Sequence, residues 1–231
     1  MDYQDVITYK PDAVKIFDEE DWDLMEDSRY KPIILALRKG PMTVRDLEEE
    51  YNKIIEQKIE KMDLEKKERN TVSEKLKRKG KTLYKYLDIL IKKGLIIEAG
   101  KRVKTGQTAA ETLYGRTAKL FVLSRKIKTK KPIIMSKEAG EVVCSIISKE
   151  KNKTSMDINC FRKIFDKILE SNHQATVDYF TKYSHELSEV SPKISFEELN
   201  EIAWILDIFH IIKSAARFEK EIESCFIGNI D

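Results

Sequence analysis

The chain has 231 residues, 36% of them charged, and a formal net charge of +3. This length allows two modest domains, and no apolar run approaches the roughly 18–20 residues that a bilayer-spanning helix needs, which argues against a membrane protein. The acidic start has neither a basic nor an apolar leader, so we expect no signal peptide and a cytoplasmic location.

Basic residues are concentrated in the middle of the chain. Residues 73–131 contain 18 lysines and arginines against 4 acidic residues, a local net charge of +14. Residues 1–72 carry −6, and residues 132–231 carry −5. A basic segment between acidic flanks indicates binding to a polyanion, most plausibly nucleic acid; the alternative is a solvated lysine-rich surface.

The N-terminal residues 1–26 are acidic and lack a regular hydrophobic period. They predict an extension that is either partly disordered or attached to the next domain by apolar side chains. The side chains available for that attachment are Ile7, Val14, Ile16, Phe17 and Trp22.

Two amphipathic helices are predicted next. Residues 30–37 place apolar side chains at helical spacing and are followed by a Gly-Pro pair. Thr43 then offers a helix N-cap, with Asp46 three residues later as its capping-box partner. The charged stretch 53–80 predicts an elongated second helix and a charged loop or extra helical turn, not a new core.

The basic block contains a third amphipathic helix over residues 81–94, with Gly94 suited to its C-terminal end. Residues 95–97 predict a short strand, residues 100–110 a mobile basic turn, and residues 112–123 a returning strand. Helix, glycine, strand, basic turn and strand is the element order of a winged helix-turn-helix. The apolar face of the helix is predicted to hold Leu83, Tyr86, Leu87, Leu90 and Ile91, opposite Lys81, Thr82, Tyr84, Lys85 and Asp88.

Three segments, ALRKGPMTVRDLEEEYNK, KTLYKYLDILIKKGLI and ETLYGRTAKLFVLS, resemble the archaeal ArsR-like winged helix-turn-helix transcription regulators. The resemblance covers roughly residues 27–124. It implies that exposed residues of the third helix enter the DNA major groove and that the wing reaches a neighbouring phosphate or the minor groove. With Lys79 before the helix and Arg116 on the returning strand included, the predicted DNA contacts are Lys79, Lys81, Thr82, Tyr84, Lys85, Lys101, Arg102, Lys104 and Arg116.

These residue types suit the implied roles. Lysine and arginine neutralise phosphates and release counterions, which makes binding salt-dependent. Threonine, tyrosine and lysine on the first turns of a helix can reach base edges and phosphate oxygens. The bases that each residue would read do not follow from the sequence. Arg116 has an alternative role as a strand residue paired with an acidic neighbour.

A basic linker over residues 125–132 leads to residues 133–231, whose apolar periodicity predicts four helices. The last of them begins after a capping box at Ser195 and is apolar almost all the way round between residues 202 and 212. Such a helix must be buried on more than one side, most simply against the same helix of a second chain; the alternative is a monomeric bundle that covers it. The predicted dimerisation residues are Ile202, Ile205, Ile208, Phe209 and Ile212.

Metal and catalytic chemistry find little support in the sequence. Cys144, Cys160 and Cys225 are widely spaced, which argues against a disulfide framework, and Cys144 and Cys160 are predicted to be small buried hydrophobes. The histidines are isolated, so no metal or other cofactor is predicted. The sequence has no Gly-rich phosphate loop, nucleophile elbow or HExxH, and we therefore predict a protein that is not an enzyme.

The predicted fold is mainly α with a small β-wing: a winged helix-turn-helix domain over residues 27–124, then a helical, bundle-like domain for dimerisation or sensing. The predicted function is sequence-specific binding of double-stranded DNA to regulate transcription, by a homodimer and without catalysis. Two alternatives stay open, a winged helix that docks proteins and an accessory factor that binds DNA without sequence preference. Whether a small-molecule effector binds is not predicted.

Overall fold

The computed structural model of the chain describes residues 3–63, 65–104, 109–124 and 136–229. The protein is mostly helical, with 64% helix and little β-structure, which confirms the coarse prediction of an α-rich fold. It divides into two compact units. Unit 1 comprises Met1–Val122 and His185–Phe196, and unit 2 comprises Leu123–Ser184 and Glu197–Asp231. The predicted linker over residues 125–132 lies outside the described residues.

No helix in the described part of the chain combines the length and the apolar character needed to cross a bilayer.

The N-terminal segment is regular, contrary to the prediction of an irregular extension. It forms strand β1 (Tyr3–Ile7), strand β2 (Asp12–Phe17) and helix α1 (Glu19–Glu26). Of the apolar side chains predicted to attach it, Phe17 is buried in the core of unit 1 and Trp22 packs against that core, whereas Ile7 is exposed. The prediction missed the strands because their partners lie far away in the chain and leave no local signal.

The helices of unit 1 follow the predicted order, with one addition. Thr43 caps helix α3 (Val44–Glu60): its Oγ1 accepts the Asp46 N–H, and Asp46 Oδ2 accepts the Thr43 N–H, both at 3.2 Å. This confirms the predicted capping box. The charged stretch after it contains a separate helix, α4, rather than only a loop. The remaining bounds are α2 (Lys31–Ala36), a 3₁₀ turn (Leu37–Lys39), α3 (Val44–Glu60), α4 (Lys66–Leu76) and α5 (Gly80–Lys92).

Three further strands complete unit 1: β3 (Ile96–Lys104), β4 (Ala110–Arg116) and β5 (Ala118–Leu123). The predicted turn over 100–110 is wrong for residues 100–104, which belong to β3, and for residue 110, which belongs to β4; residues 105–108 lie outside the described residues. The predicted single returning strand is also wrong, because the chain changes sheets at Thr117. β3 lies between β1 and β4 in one antiparallel sheet, and β5 pairs with β2.

Gly100 explains how β1 can lie so close to β3. Its φ is +156°, and a Cβ placed there would lie only 2.1 Å from the Val6 carbonyl oxygen. Only glycine can occupy this position without moving β1. The sequence analysis interpreted Gly100 as part of a turn. In the structure this glycine instead allows the backbones of β1 and β3 to approach closely within the sheet.

The described part of residues 133–231 contains four α-helices, as many as predicted, but their bounds differ. Helix α7 (Ile158–Lys182, 25 residues) spans the second predicted helix and most of the third, whose last part lies in α8 (Ser184–Val190), and a pair of short strands was missed. Most of α8 and the 3₁₀ turn after it belong to unit 1. The bounds are α6 (Lys137–Glu150), β6 (Lys153–Met156), α7 (Ile158–Lys182), α8 (Ser184–Val190), a 3₁₀ turn (Ser191–Lys193), α9 (Phe196–Glu223) and β7 (Phe226–Asn229), with β6 and β7 antiparallel.

A disulfide bond joins Cys160, at the start of α7, to Cys225, after the end of α9. The prediction of no disulfide, with Cys160 as a small buried hydrophobe, was therefore wrong. Spacing alone could not reveal the pair, because 65 residues separate the two cysteines and only the antiparallel β6–β7 pairing brings the chain back. Cys144 is a buried free thiol, as predicted.

Replacing Cys160 and Cys225 together by serine should lower the free energy of unfolding of unit 2 by about 2–5 kcal/mol, because the crosslink restricts the unfolded chain. Chemical denaturation without reductant measures this change. Reductant should bring the natural protein to the stability of the double variant and leave the variant unchanged. Equal stability of the oxidised natural protein and the variant would contradict a formed bond.

Candidate nucleic-acid interface

Helix α5 presents two different faces. Leu83, Leu87 and Leu90 are buried in the core of unit 1. On the opposite side, Lys81 and Lys85 are exposed, and Tyr84 keeps 52% of its surface accessible; Asp88 is also exposed, and Thr82 is half-buried. The division of faces predicted from helical spacing is confirmed. A row of two ammonium groups and a phenol thus lies on the first turns of the helix.

Two side chains of α3 fix the N-terminus of α5. The Gly80 N–H donates to Glu48 Oε2 at 2.6 Å. Asn52 holds the backbone of Arg78, two residues earlier: it accepts the Arg78 N–H at 2.9 Å and donates to the Arg78 carbonyl at 3.0 Å. Exposed Lys79 lies between these two contact points. These contacts therefore fix the backbone at the start of α5, from which the exposed lysine side chains extend.

The sequence analysis missed Glu48 and Asn52, although a signal was present. Glu48, Asn52 and Glu56 recur every four residues and therefore line one edge of α3. Glu56 completes this edge with an ion pair to Lys77. The polar row of α3 therefore contacts the segment before α5, while the apolar stripe beside it enters the core.

Arg78 supports the same loop with its side chain. Its Nε donates to the Tyr86 hydroxyl at 3.2 Å, and its Nη1 donates to the carbonyls of Lys75 and Lys77. This guanidinium shapes the segment before α5, whereas Lys79 and Lys81 remain at the surface.

Arg102, one of the predicted wing contacts, is bound to two carboxylates within unit 1. Its Nε and Nη2 donate to Asp5 of β1 at 2.6 and 2.8 Å, and its Nη1 donates to Asp46 of α3. The hydrogen bond from Arg102 lowers the pKa of Asp5. The ion pair between Asp5 and Arg102 therefore adds to the free energy of unfolding above the unfolded-state pKa of Asp5. This stabilisation is lost as the pH falls through the lower folded-state pKa.

The other predicted wing residues differ in accessibility. Lys101 is exposed and donates from Nζ to Thr112 Oγ1 across the hairpin at 2.7 Å. Lys104 ends β3, and its side chain lies outside the described part of the structure, as do residues 105–108. Arg102 therefore braces β1, β3 and α3, and Lys101 is the wing lysine whose side chain the structure describes at the surface.

The burial of Arg116 contradicts its predicted DNA contact. Only 7% of the residue is exposed, and its guanidinium lies 4.3 Å from the centre of the Phe121 ring. Burial, with a smaller contribution from Arg38, lowers the pKa of Arg116 to about 10. Among the described residues, no acidic side chain pairs with Arg116 as the alternative required; the Phe121 ring lies against its guanidinium instead.

No protein-family model matches this chain, and no curated protein is significantly similar to it. The resemblance to ArsR-like regulators therefore rests on the three quoted segments alone. Among the residues described, no group of three histidine, cysteine or acidic side chains could hold a metal ion.

Replacing Arg102 by glutamine should destabilise unit 1 by about 1–2 kcal/mol, because it leaves Asp5 and Asp46 without their cation. Hydrogen exchange should report faster exchange in residues 3–7, and denaturation should report the lost stability. Lys101→Gln, the neighbouring residue on the other face of the strand, is the matched control and should change either reading little. Unchanged exchange in β1 would show that Arg102 does not brace it.

Proposed function

We propose that unit 1 is a winged helix-turn-helix domain and that the protein is a non-catalytic, sequence-specific regulator of transcription that binds double-stranded DNA. The order of elements supports the fold: helix α2, an extended residue, helix α3, helix α5 and the hairpin β3–β4. The extended residue is Met42, which pairs with Tyr114 of β4 as the short strand of such a domain would. Helix α4 is an insertion between the two helices of the motif.

The exposed face of α5 is the observation that carries the proposal. Its buried leucines leave Lys81, Tyr84 and Lys85 directed away from the core, and Lys79 precedes them. Ammonium groups supply phosphate contacts, and a side chain on the first turns of a helix can reach base edges in the major groove. A rigidly held helix N-terminus favours specific contacts, because little freedom is lost when DNA binds.

The structure changes the proposed division of roles around that helix. Lys79, Lys81, Thr82, Tyr84 and Lys85 remain DNA contacts, with Lys101 and Lys104 as contacts from the wing. Arg102 supports the wing from within the domain, and Arg116 is withdrawn because it is buried.

Two other functions remain distinguishable by experiment. A protein-docking winged helix would not require a local charge of +14, and an accessory factor would bind all duplexes alike. Affinity selection from random duplexes separates sequence-specific from uniform binding. A regulator of this kind would act in the cytoplasm.

The affinity of the protein for a selected duplex should fall steeply with salt. Binding of about 6–10 phosphates by a dimer gives a slope of several units in log K against log salt concentration, measured by fluorescence anisotropy.

Tyr84→Ala or Lys85→Ala should cost about 1–3 kcal/mol of binding free energy at the selected site. Lys163→Ala, an exposed lysine of unit 2, is the control. A slope near −1, or silent variants of Tyr84 and Lys85, would contradict the assignment of α5.

We further propose that the protein is a homodimer formed through α9, which exposes large apolar side chains between residues 204 and 212. Two of its polar residues contact α7: Asp207 accepts a hydrogen bond from Thr176, and His210 Nε2 lies 3.0 Å from Ser171 Oγ. Several of its apolar residues face outward, with Trp204 64%, Ile205 57% and Ile212 69% exposed. Of the other predicted dimerisation residues, Phe209 is exposed, and Ile202 and Ile208 are half-buried.

A second copy of the chain is the occupant that best fits this surface. The monomeric alternative requires helices from residues 139–187 to cover α9, and the exposure of Ile205 and Ile212 favours the dimer over it. Asp207 is the one charged residue between 202 and 212, so the outward surface is uncharged and can pack against itself about a two-fold axis. Two recognition helices would also supply the base contacts that a single one lacks.

Sedimentation equilibrium at micromolar concentration should report a dimer of the 27.0 kDa chain. Ile205→Glu or Ile212→Glu should weaken association by well over about 10-fold, because a carboxylate would be buried in the interface. Ile146→Glu introduces the same change at an exposed position of α6 and should leave the dimer intact. A monomeric natural protein would refute the interface.

A further inference from the structure

The exposed face of α5 carries a single acidic side chain among its cations. Asp88 is the only aspartate or glutamate of this helix, and it is exposed. Lys81, Lys85 and Asp88 follow one another at intervals of four and three residues, so they line one strip of the helix surface. The carboxylate therefore interrupts the basic surface that the proposed function assigns to DNA.

The carboxylate of Asp88 is available to a ligand. Among the residues that the structure describes, none forms an ion pair with it or donates a hydrogen bond to it. Lys85 and Lys92 lie one helical turn before and after Asp88, and neither pairs with it. At the end of the same helix, by contrast, Lys93 pairs with Glu20. Asp88 is thus an uncompensated negative charge and a free hydrogen-bond acceptor.

The spacing along α5 places Asp88 within reach of the same duplex as Lys81. Two helical turns separate them, a rise of about 10 Å, which corresponds to about three base-pair steps. The carboxylate also lies toward the β3–β4 hairpin: burial raises the pKa of Tyr114 on β4, and nearby negative charges, Asp88 among them, raise it further. This hairpin is the second element that the proposed function assigns to DNA.

A carboxylate on a DNA-binding face must find a donor, because it is repelled by phosphates. The major groove offers only two kinds of donor, the N4 amino group of cytosine and the N6 amino group of adenine. The adenine amino group lies beside the N7 acceptor, which repels a carboxylate, and guanine and thymine present acceptors there. Cytosine is therefore the base that a carboxylate selects.

We propose that Asp88 is a specificity-determining residue that accepts a hydrogen bond from the N4 amino group of a cytosine in the major groove. This inference rests on the proposed function, since it requires that α5 enters the groove. The carboxylate lowers the affinity for every duplex by repelling phosphates, and it disfavours the other three bases at its own position most strongly. Repulsion of wrong partners is a general means of gaining specificity.

Affinity selection from random duplexes tests this role with the full-length protein and Asp88→Asn. The natural protein should require cytosine at one base-pair position of each half-site, and its replacement should weaken binding by about 5-fold or more. Asp88→Asn should lose this requirement and favour adenine there, because an amide pairs with adenine N6 and N7. Its affinity for random duplexes should rise, because a negative charge has been removed.

Glu74→Gln is the matched control, because it removes the same charge from an exposed position of α4 in the same basic segment. It should bind random duplexes more tightly and select the same sequence as the natural protein. Asp88→Ala should lose the cytosine requirement without acquiring a preference for adenine. Chemical denaturation should show that Asp88→Asn is as stable as the natural protein, since the side chain is exposed and unpaired.

Selection of the natural sequence by Asp88→Asn would overturn the proposal and show that Asp88 is only a solvated charge. Loss of stability together with loss of all DNA binding by Asp88→Asn would also overturn it, because the role would then be structural. In both cases the natural protein still selects a sequence, so DNA binding by α5 stands. If the natural protein itself selects no sequence, the proposed function fails and this inference fails with it.

Discussion

Burial of one face of α5 is the constraint on which the arrangement of unit 1 depends. Leu83, Leu87 and Leu90 have almost no accessible surface, so the helix cannot rotate about its axis without exposing them. The orientation of the helix about its axis determines which side chains face outward, and Lys81 and Lys85 are among them. The candidate DNA surface is therefore a consequence of core packing, and no separate device is needed to orient it.

Helix α3 connects this constraint to the rest of the domain. One face enters the core through residues such as Leu47, while the polar edge of Glu48 and Asn52 holds the start of α5. At its N-terminus Asp46 serves two partners, the Thr43 N–H of the capping box and the guanidinium of Arg102. The same helix thus positions both α5 and the strand that leads to the wing. A change in α3 would disturb both candidate DNA elements together.

Sequence reasoning succeeded where the controlling interactions are local. The capping box at Thr43 and the two faces of α5 depend on residues within a few positions of each other, and their pattern is readable. The β1–β3 pairing and the disulfide between Cys160 and Cys225 join distant residues, and no local pattern encodes them. The roles of basic side chains were predicted least well, because the sequence gives the charge of an arginine but not what surrounds it. Arg116 against Phe121 shows this limit.

Segregation of charge along the chain adds a further argument about how such a domain would meet DNA. The flanking segments carry −6 and −5, so they are repelled by the phosphates that attract the +14 block. β1 belongs to the acidic N-terminal segment and lies beside β3 of the basic block, where Asp5 neutralises part of the charge of Arg102. Positive charge is thereby reduced near the tip of the β3–β4 hairpin and retained on the exposed face of α5. An uneven charge distribution of this kind orients an approaching polyanion toward the retained charges, because misoriented encounters bring like charges together. The acidic segments would thus contribute to the orientation of the protein on DNA without contacting it.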